Sequence, residues 1–124
     1  MVVCQDFDDG RNNPRIRARR YNANGGDLGY FFVEPTYGAV NNQHEPAVSM
    51  VDDGRFVVVW NGSSEIYGRL FNADGSASTA TFRVNQTTSG TQQVPSVAVY
   101  PDGQFVVTWR GEGSGESEGI EARR

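Results

Sequence analysis

Lysine is absent from this chain, and cysteine and histidine occur once each. A lone Cys4 permits no intrachain disulfide and no cysteine-based metal site, since either needs a second sulfur. No apolar run reaches the ~18 residues that would suggest a membrane-spanning helix. The segment Met1-Val-Val-Cys-Gln-Asp6 lacks the basic and apolar regions of a secretory signal. All positive charge is arginine, and the formal net charge is -4. That balance argues against a nucleic-acid surface. Neither nucleic acid nor membrane is therefore expected as a partner. What remains is rich in glycine, with apolar residues that are largely Val, Phe, Tyr and Trp. This mix suits short strands joined by tight turns.

What the chain does contain is a repeat. Pro46-Ala-Val-Ser-Met-Val-Asp-Asp-Gly-Arg-Phe-Val-Val-Val-Trp60 returns as Pro95-Ser-Val-Ala-Val-Tyr-Pro-Asp-Gly-Gln-Phe-Val-Val-Thr-Trp109. Ile66-Tyr-Gly-Arg-Leu-Phe-Asn-Ala-Asp-Gly75 matches Ile16 to Gly25 and, cut short, Ile120 to Arg124. A period of roughly 50 residues points to stacked units, none of which buries its apolar face alone. The complete unit divides into four strands: Pro46 to Val51, Arg55 to Trp60, Ile66 to Asn72 and Thr81 to Asn85. Asp-Gly corners separate the first pair and the last pair, so the unit predicts an antiparallel four-stranded meander. Residues 44–93 form this complete repeat. Residues 1–43 form a partial one holding its last strands, and residues 94–124 another holding its first three. Val2-Val3-Cys4 aligns with Val58-Val59-Trp60, which predicts Cys4 in a tryptophan's place.

Four-stranded meanders at this period are the pattern of β-propeller blades. The motifs Asp-Gly-x-Phe-Val-Val-x-Trp (Asp53 to Trp60, Asp102 to Trp109) and Ile-x-x-Arg-x-x-Asn-Ala-(Asp/Asn)-Gly resemble tandem repeats of large bacterial surface and secreted proteins that look propeller-like. The first corner is faintly similar to the Asp-box hairpin, without its usual Ser and second Gly. The resemblance implies propeller-like blades and an extracellular or cell-surface setting, and no single activity. Propellers close with about four to eight blades, and open blade edges invite pairing with other chains. The expectation is thus a homo-oligomer, most simply a trimer, in which one chain completes the split blade of the next. A single β-sandwich or trefoil-like domain is the alternative fold, and the period fits neither.

Residues that recur in every copy read as framework: Arg19, Arg69 and Arg123 as braces, Trp60 and Trp109 as packing, and Asp53, Asp102, Asn22 and Asn72 as turn formers. Function is expected where copies differ, in the loops Gln5 to Arg15 and Arg110 to Gly119 and in the link Glu34 to Glu45. Asp6, Asp8 and Asp9 before Gly10 superficially resemble a calcium loop. The EF-hand spacing fails, so no cofactor is expected, with Ca2+ the cation these oxygen ligands would favour over zinc. Arg15, Arg17 and Arg19 share one face of a strand. They suit an anion, the acidic loops or a neighbouring subunit. No serine stands in a nucleophile elbow that would recruit His44. The function expected is non-enzymatic binding or adhesion, with a carbohydrate as ligand. The candidate residues are Tyr37, Asn41, Asn42, His44, Asp8 and Glu116, the first three foremost, since aromatic and amide groups suit sugar recognition. Two alternatives stand: a structural repeat without a ligand of its own, and a glycoside hydrolase using loop carboxylates.

Overall fold

The computed structural model describes residues 2–7, 14–34, 42–86, 90–111 and 118–123. They form strands β1 (Val2–Phe7), β2 (Arg15–Tyr21), β3 (Asp27–Phe32), β4 (His44–Met50), β5 (Phe56–Gly62), β6 (Glu65–Phe71), β7 (Phe82–Arg83), β8 (Gln92–Val99), β9 (Phe105–Gly111) and β10 (Glu118–Arg123). There is no helix among the described residues. The strands build three antiparallel meanders, ordered β1-β2-β3, β4-β5-β6-β7 and β10-β9-β8. β4 lies against β1, and β8 lies against both β4 and β5, so successive sheets pack face to face. The described residues are all-β and propeller-like, an incomplete run of blade-like sheets and not a closed barrel.

Turn chemistry sets the corners. Asp53 and Asp102 each accept a hydrogen bond through Oδ1 from the main-chain N–H two residues on, at 3.0 and 2.9 Å. The glycine after each adopts a left-handed φ, +94° at Gly54 and +89° at Gly103, which side chains resist. At Gly54 space is closed as well, because an added Cβ would meet Ala73 Cβ at 2.9 Å. Asn22 Oδ1 likewise accepts from the N–H groups of Asn24 and Gly26. β5 and β6 meet at Ser63-Ser64, with φ of 49° and 67°. That is the twist of a tight hairpin turn, so this connection is shorter than the five residues left between the predicted strands Arg55 to Trp60 and Ile66 to Asn72.

Two apolar joints hold the sheets together. In the first, Val2, Ile16, Ala18 and Val33 meet Phe56, Val58, Trp60 and Phe71. Phe56 and Phe71 stack there at 5.0 Å between centroids. In the second, Val57, Val59, Ile66 and Val84 meet Phe105 and Val107, with Trp109 packed beside them. β5 sits between two sheets and is buried along its whole length. Its even residues therefore enter one joint and its odd residues the other, as a strand's alternation requires.

Strand pairing corrects one alignment. Cys4 lies opposite Ala18, as Val59 lies opposite Gly68. Cys4 thus takes the place of Val59 and not that of Trp60, and it packs against the first joint. A one-residue slip reverses every side chain of a strand, and only this register buries Val2 and Cys4. Burial pushes the Cys4 thiol up to about 12. In the third sheet Ile120 lies opposite Thr108, whereas Ile66 lies opposite Asn61, so β10 is displaced along β9 by comparison with the central sheet.

Candidate functional site

One end of the three sheets gathers the starts of β2, β4, β6 and β8 with the ends of β1, β3, β5, β7 and β9. The described part of the variable link Glu34 to Glu45, namely Glu34 and Asn42 to Glu45, lies at this rim. Its described residues include the buried polar side chains Glu34, Gln43, Asn61, Asn85 and Gln92.

The links entering β4 and β8 are fastened in the same way. Gln43 N–H donates to Pro14 O at 2.8 Å, and Gln92 N–H donates to Ser64 O at 2.9 Å. The side chains then diverge. Ile16 N–H donates to Gln43 Oε1 at 3.0 Å, but its counterpart Ile66 N–H donates to Asn85 Oδ1 at 2.8 Å. Gln92 Oε1 accepts instead from Trp109 Nε1 at 2.9 Å. The cause lies at the ends of β3 and β7, where Glu34 and Asn85 hold equivalent places. Glu34 accepts from Thr81 Oγ1 and leaves Ile16 to Gln43. Asn85 takes Ile66 and is itself held by Glu65. Trp60 Nε1, the counterpart of Trp109 Nε1, is buried with no hydrogen-bond partner.

A second repeated feature follows at once. Glu45 and Val94 both adopt a φ of 54°. Each precedes a proline, and the pairing register shifts between His44 and Ala47 and between Gln93 and Ser96. These are matched bulges at the start of β4 and of β8. The Glu45 carboxylate accepts the Val94 N–H at 2.7 Å and so ties one bulge to the next.

Of the predicted ligand residues, Asn42 and His44 fall within the described structure. Asn42 is exposed with a φ of 52°, and His44 is half-buried opposite Asn61. The rim brings these two together with Glu45. Tyr37, Asn41, Asp8 and Glu116 lie outside the described residues, as do Asp8 and Asp9 of the predicted cation loop. Among the described residues no group of three or more His, Cys, Asp and Glu side chains is placed to hold a metal. No helix among them is long and apolar enough to cross a membrane.

The arginine row of β2 lies along the rings of β3, with Arg15 also bonded to Glu34 of the rim. Arg15 stacks over Phe32 at 3.8 Å to the ring centroid, and its Nη2 donates to Glu34 O at 3.0 Å. Arg17 and Arg19 lie 4.9 and 5.7 Å from the Tyr30 centroid, and Arg19 also pairs with Asp27. Their described partners thus include aromatic rings, the Glu34 main-chain carbonyl and Asp27 at the start of β3. Arg69, expected as a brace, is one: it donates to Thr79 O at 2.9 Å within its own sheet and to Val33 O at 3.0 Å in the sheet before.

A cavity of ≈ 80 Å³ opens at the opposite end of the sheets, between Val51, Arg55, Phe71 and Val99. Small-molecule sites run from about 300 Å³ upward, so this one is too small for a sugar. The polar clamp of Gln43 and Gln92 was missed from sequence, although the recurrence of glutamine at both places was the available signal.

No family model matches the chain, and no curated protein sequence matches it. A solved structure described as the endo-arabinase from Bacteroides thetaiotaomicron VPI-5482 resembles it at 15% identity and a TM-score of 0.49. The likeness covers 100% of this chain and 56% of that one, so the chain spans little more than half that protein's length. That structure is of an enzyme, and the expectation that this chain is non-enzymatic is corrected on that finding. At this level of similarity nothing further is carried across.

Proposed function

We propose that this chain is a propeller-like carbohydrate-recognition module whose ligand is taken on the rim entered by β4. One observation carries the reading. Residues that recur on the rim are committed to the scaffold, as the matched bonds of Gln43 and Gln92 illustrate, while differing residues lie beside them. Asn42, His44 and Glu45 stand where the next copy has Thr91, Gln93 and Val94. An exposed amide at Asn42 and an imidazole at His44, with Glu45 already holding the next bulge, suit a ligand with several hydroxyls, which needs donors and acceptors together. By sequence Tyr37 and Asn41 belong to the same link, and Asp8 and Glu116 to the neighbouring ones. An extracellular or cell-surface setting goes with this reading, on the resemblance of the repeats.

The test is a glycan array with the 124-residue chain and its Asn42→Ala, His44→Ala and Tyr37→Ala variants. Binding should weaken about tenfold or more in each variant. Equal binding by all of them would end the proposal. The glycans that bind are then incubated with the chain and assayed for new reducing ends. Release that is lost in Asp8→Asn or Glu116→Gln would place carboxylate-assisted hydrolysis on the same rim.

A further inference from the structure

We infer that a second copy of this chain docks on the outward face of β2 and β3, using the outward face of its own β8 and β9. The inference does not depend on the ligand reading. It rests on the joint between sheets, which the chain already makes twice. In both joints the earlier sheet offers mainly small and β-branched residues with one phenylalanine, Phe31 or Phe82. The later sheet adds more rings, Phe56, Trp60 and Phe71 or Phe105 and Trp109. Val57 and Val59 meet Phe105 and Trp109 in this way.

Both halves of a third such joint lie open. On the outward side of β8 and β9, Ser96, Ala98 and Thr108 are exposed and Val106 is half-buried. Pairing register puts them in the places of Ala47, Ser49, Val59 and Val57 of the central sheet. On the outward side of β2 and β3, Tyr30 is 56% exposed, with Arg15 and Arg17 stacked on the Phe32 and Tyr30 rings. Arg17 and Arg19 hold the places of Tyr67 and Arg69, which lie at the first joint. One open face is small and the other ring-bearing, its rings standing on β3 where those of the closed joints stand on β5, β6 and β9. The exposed Tyr30 ring on a sheet face with no further sheet against it among the described residues is consistent with an interaction surface.

The contact is heterologous, one face against a different one, so it propagates around a ring or along a filament. It also leaves the three sheets of each chain whole. That differs from completing a split blade by strand exchange, which would have to accommodate both β1–β2 and β9–β10.

The experiment is absolute mass by light scattering over a concentration series, with circular dichroism to confirm folding. The unmodified chain should run as a multiple of 13.6 kDa. Tyr30→Glu on one face and Thr108→Arg on the other should each reduce it to the single-chain mass. Each variant keeps the face the other has lost, so mixing the two should restore one joint and yield a two-chain species. A single-chain mass for the unmodified protein at every concentration would overturn the inference. So would an assembly indifferent to both variants, or dissociated variants that do not pair when mixed.

Discussion

At the scale of the residue, one substitution between copies redirects a chain of hydrogen bonds. Glu34 and Asn85 hold equivalent places, yet Asn85 binds the Ile66 N–H and releases Gln92 to Trp109, whereas Glu34 turns to Thr81 and Gln43 is drawn to Ile16. The cost falls on Trp60, whose indole N–H is buried without a partner. An unmet buried donor costs about 1–3 kcal/mol. Glu34→Asn should transplant the second arrangement into the first: the new amide takes Ile16, and Gln43 Oε1 is released to Trp60. We expect a gain of about 1 kcal/mol, read as a higher urea midpoint at an unchanged slope. A lower midpoint would mean that the Glu34–Thr81 bond outweighs satisfying the indole. This exchange was not legible in the sequence, which placed Glu34 and Gln43 in the variable link Glu34 to Glu45 and gave neither a bonding partner. Asn42 and His44 were legible as variable rim positions, since comparison of copies needs no coordinates.

At the scale of the element, the bulges of β4 and β8 carry backbone strain. A β-branched residue at positive φ is a genuine outlier, and left-handed backbone costs roughly 1–2 kcal/mol per non-glycine residue. Val94 bears that cost with its side chain 57% exposed, so little packing compensates. Val94→Gly should therefore raise stability by up to about 1 kcal/mol, the relief less glycine's added unfolded-state entropy. Glu45→Gly has the same φ to relax but loses the carboxylate that accepts the Val94 N–H. Its melting temperature should not rise. Differential scanning calorimetry of the two variants decides the matter, and equal shifts would refute the explanation. The strands themselves were legible from Asp-Gly corners and Val- and aromatic-rich runs. The register of β1 was not. In β5, Phe56–Gly62 is buried on both faces, so it shows no apolar–polar alternation to set the phase of the matching Val-Val segment. Cross-strand pairing supplied that phase.

At the scale of the molecule, three exposed carboxylates, two in turns and Asp27 at the start of β3, link stability to pH. Asp27 is held below the ordinary carboxylate range first by the Gly29 N–H and then by Arg19. Asp53 is held there by the Arg55 N–H and then its side chain, and Asp74 by the Ser76 hydroxyl and N–H. A carboxylate whose folded pKa is lowered contributes stability that is complete above its unfolded value, about 3.9. The contribution is lost as pH falls through the folded value. The melting temperature should thus show no loss from these groups above about pH 5 and should decline below about pH 4. Asp53→Asn with Asp74→Asn should melt lower at pH 7 and decline less steeply in acid. A parallel decline would show that these turns are not the acid-sensitive elements.

The linear order of residues determined the repeat, the all-β class and the turns, because each depends on local chemistry at a fixed spacing. Asp-Gly closes a corner wherever it occurs, and alternating β-branched and aromatic residues make a strand. Tertiary structure alone decided the phase of β1, the partner of each buried amide and the two faces left open. Those depend on which sheet lies opposite. A glutamine has one carbonyl oxygen on its side chain, and whether Ile16 or a tryptophan claims it is settled only when the sheets pack.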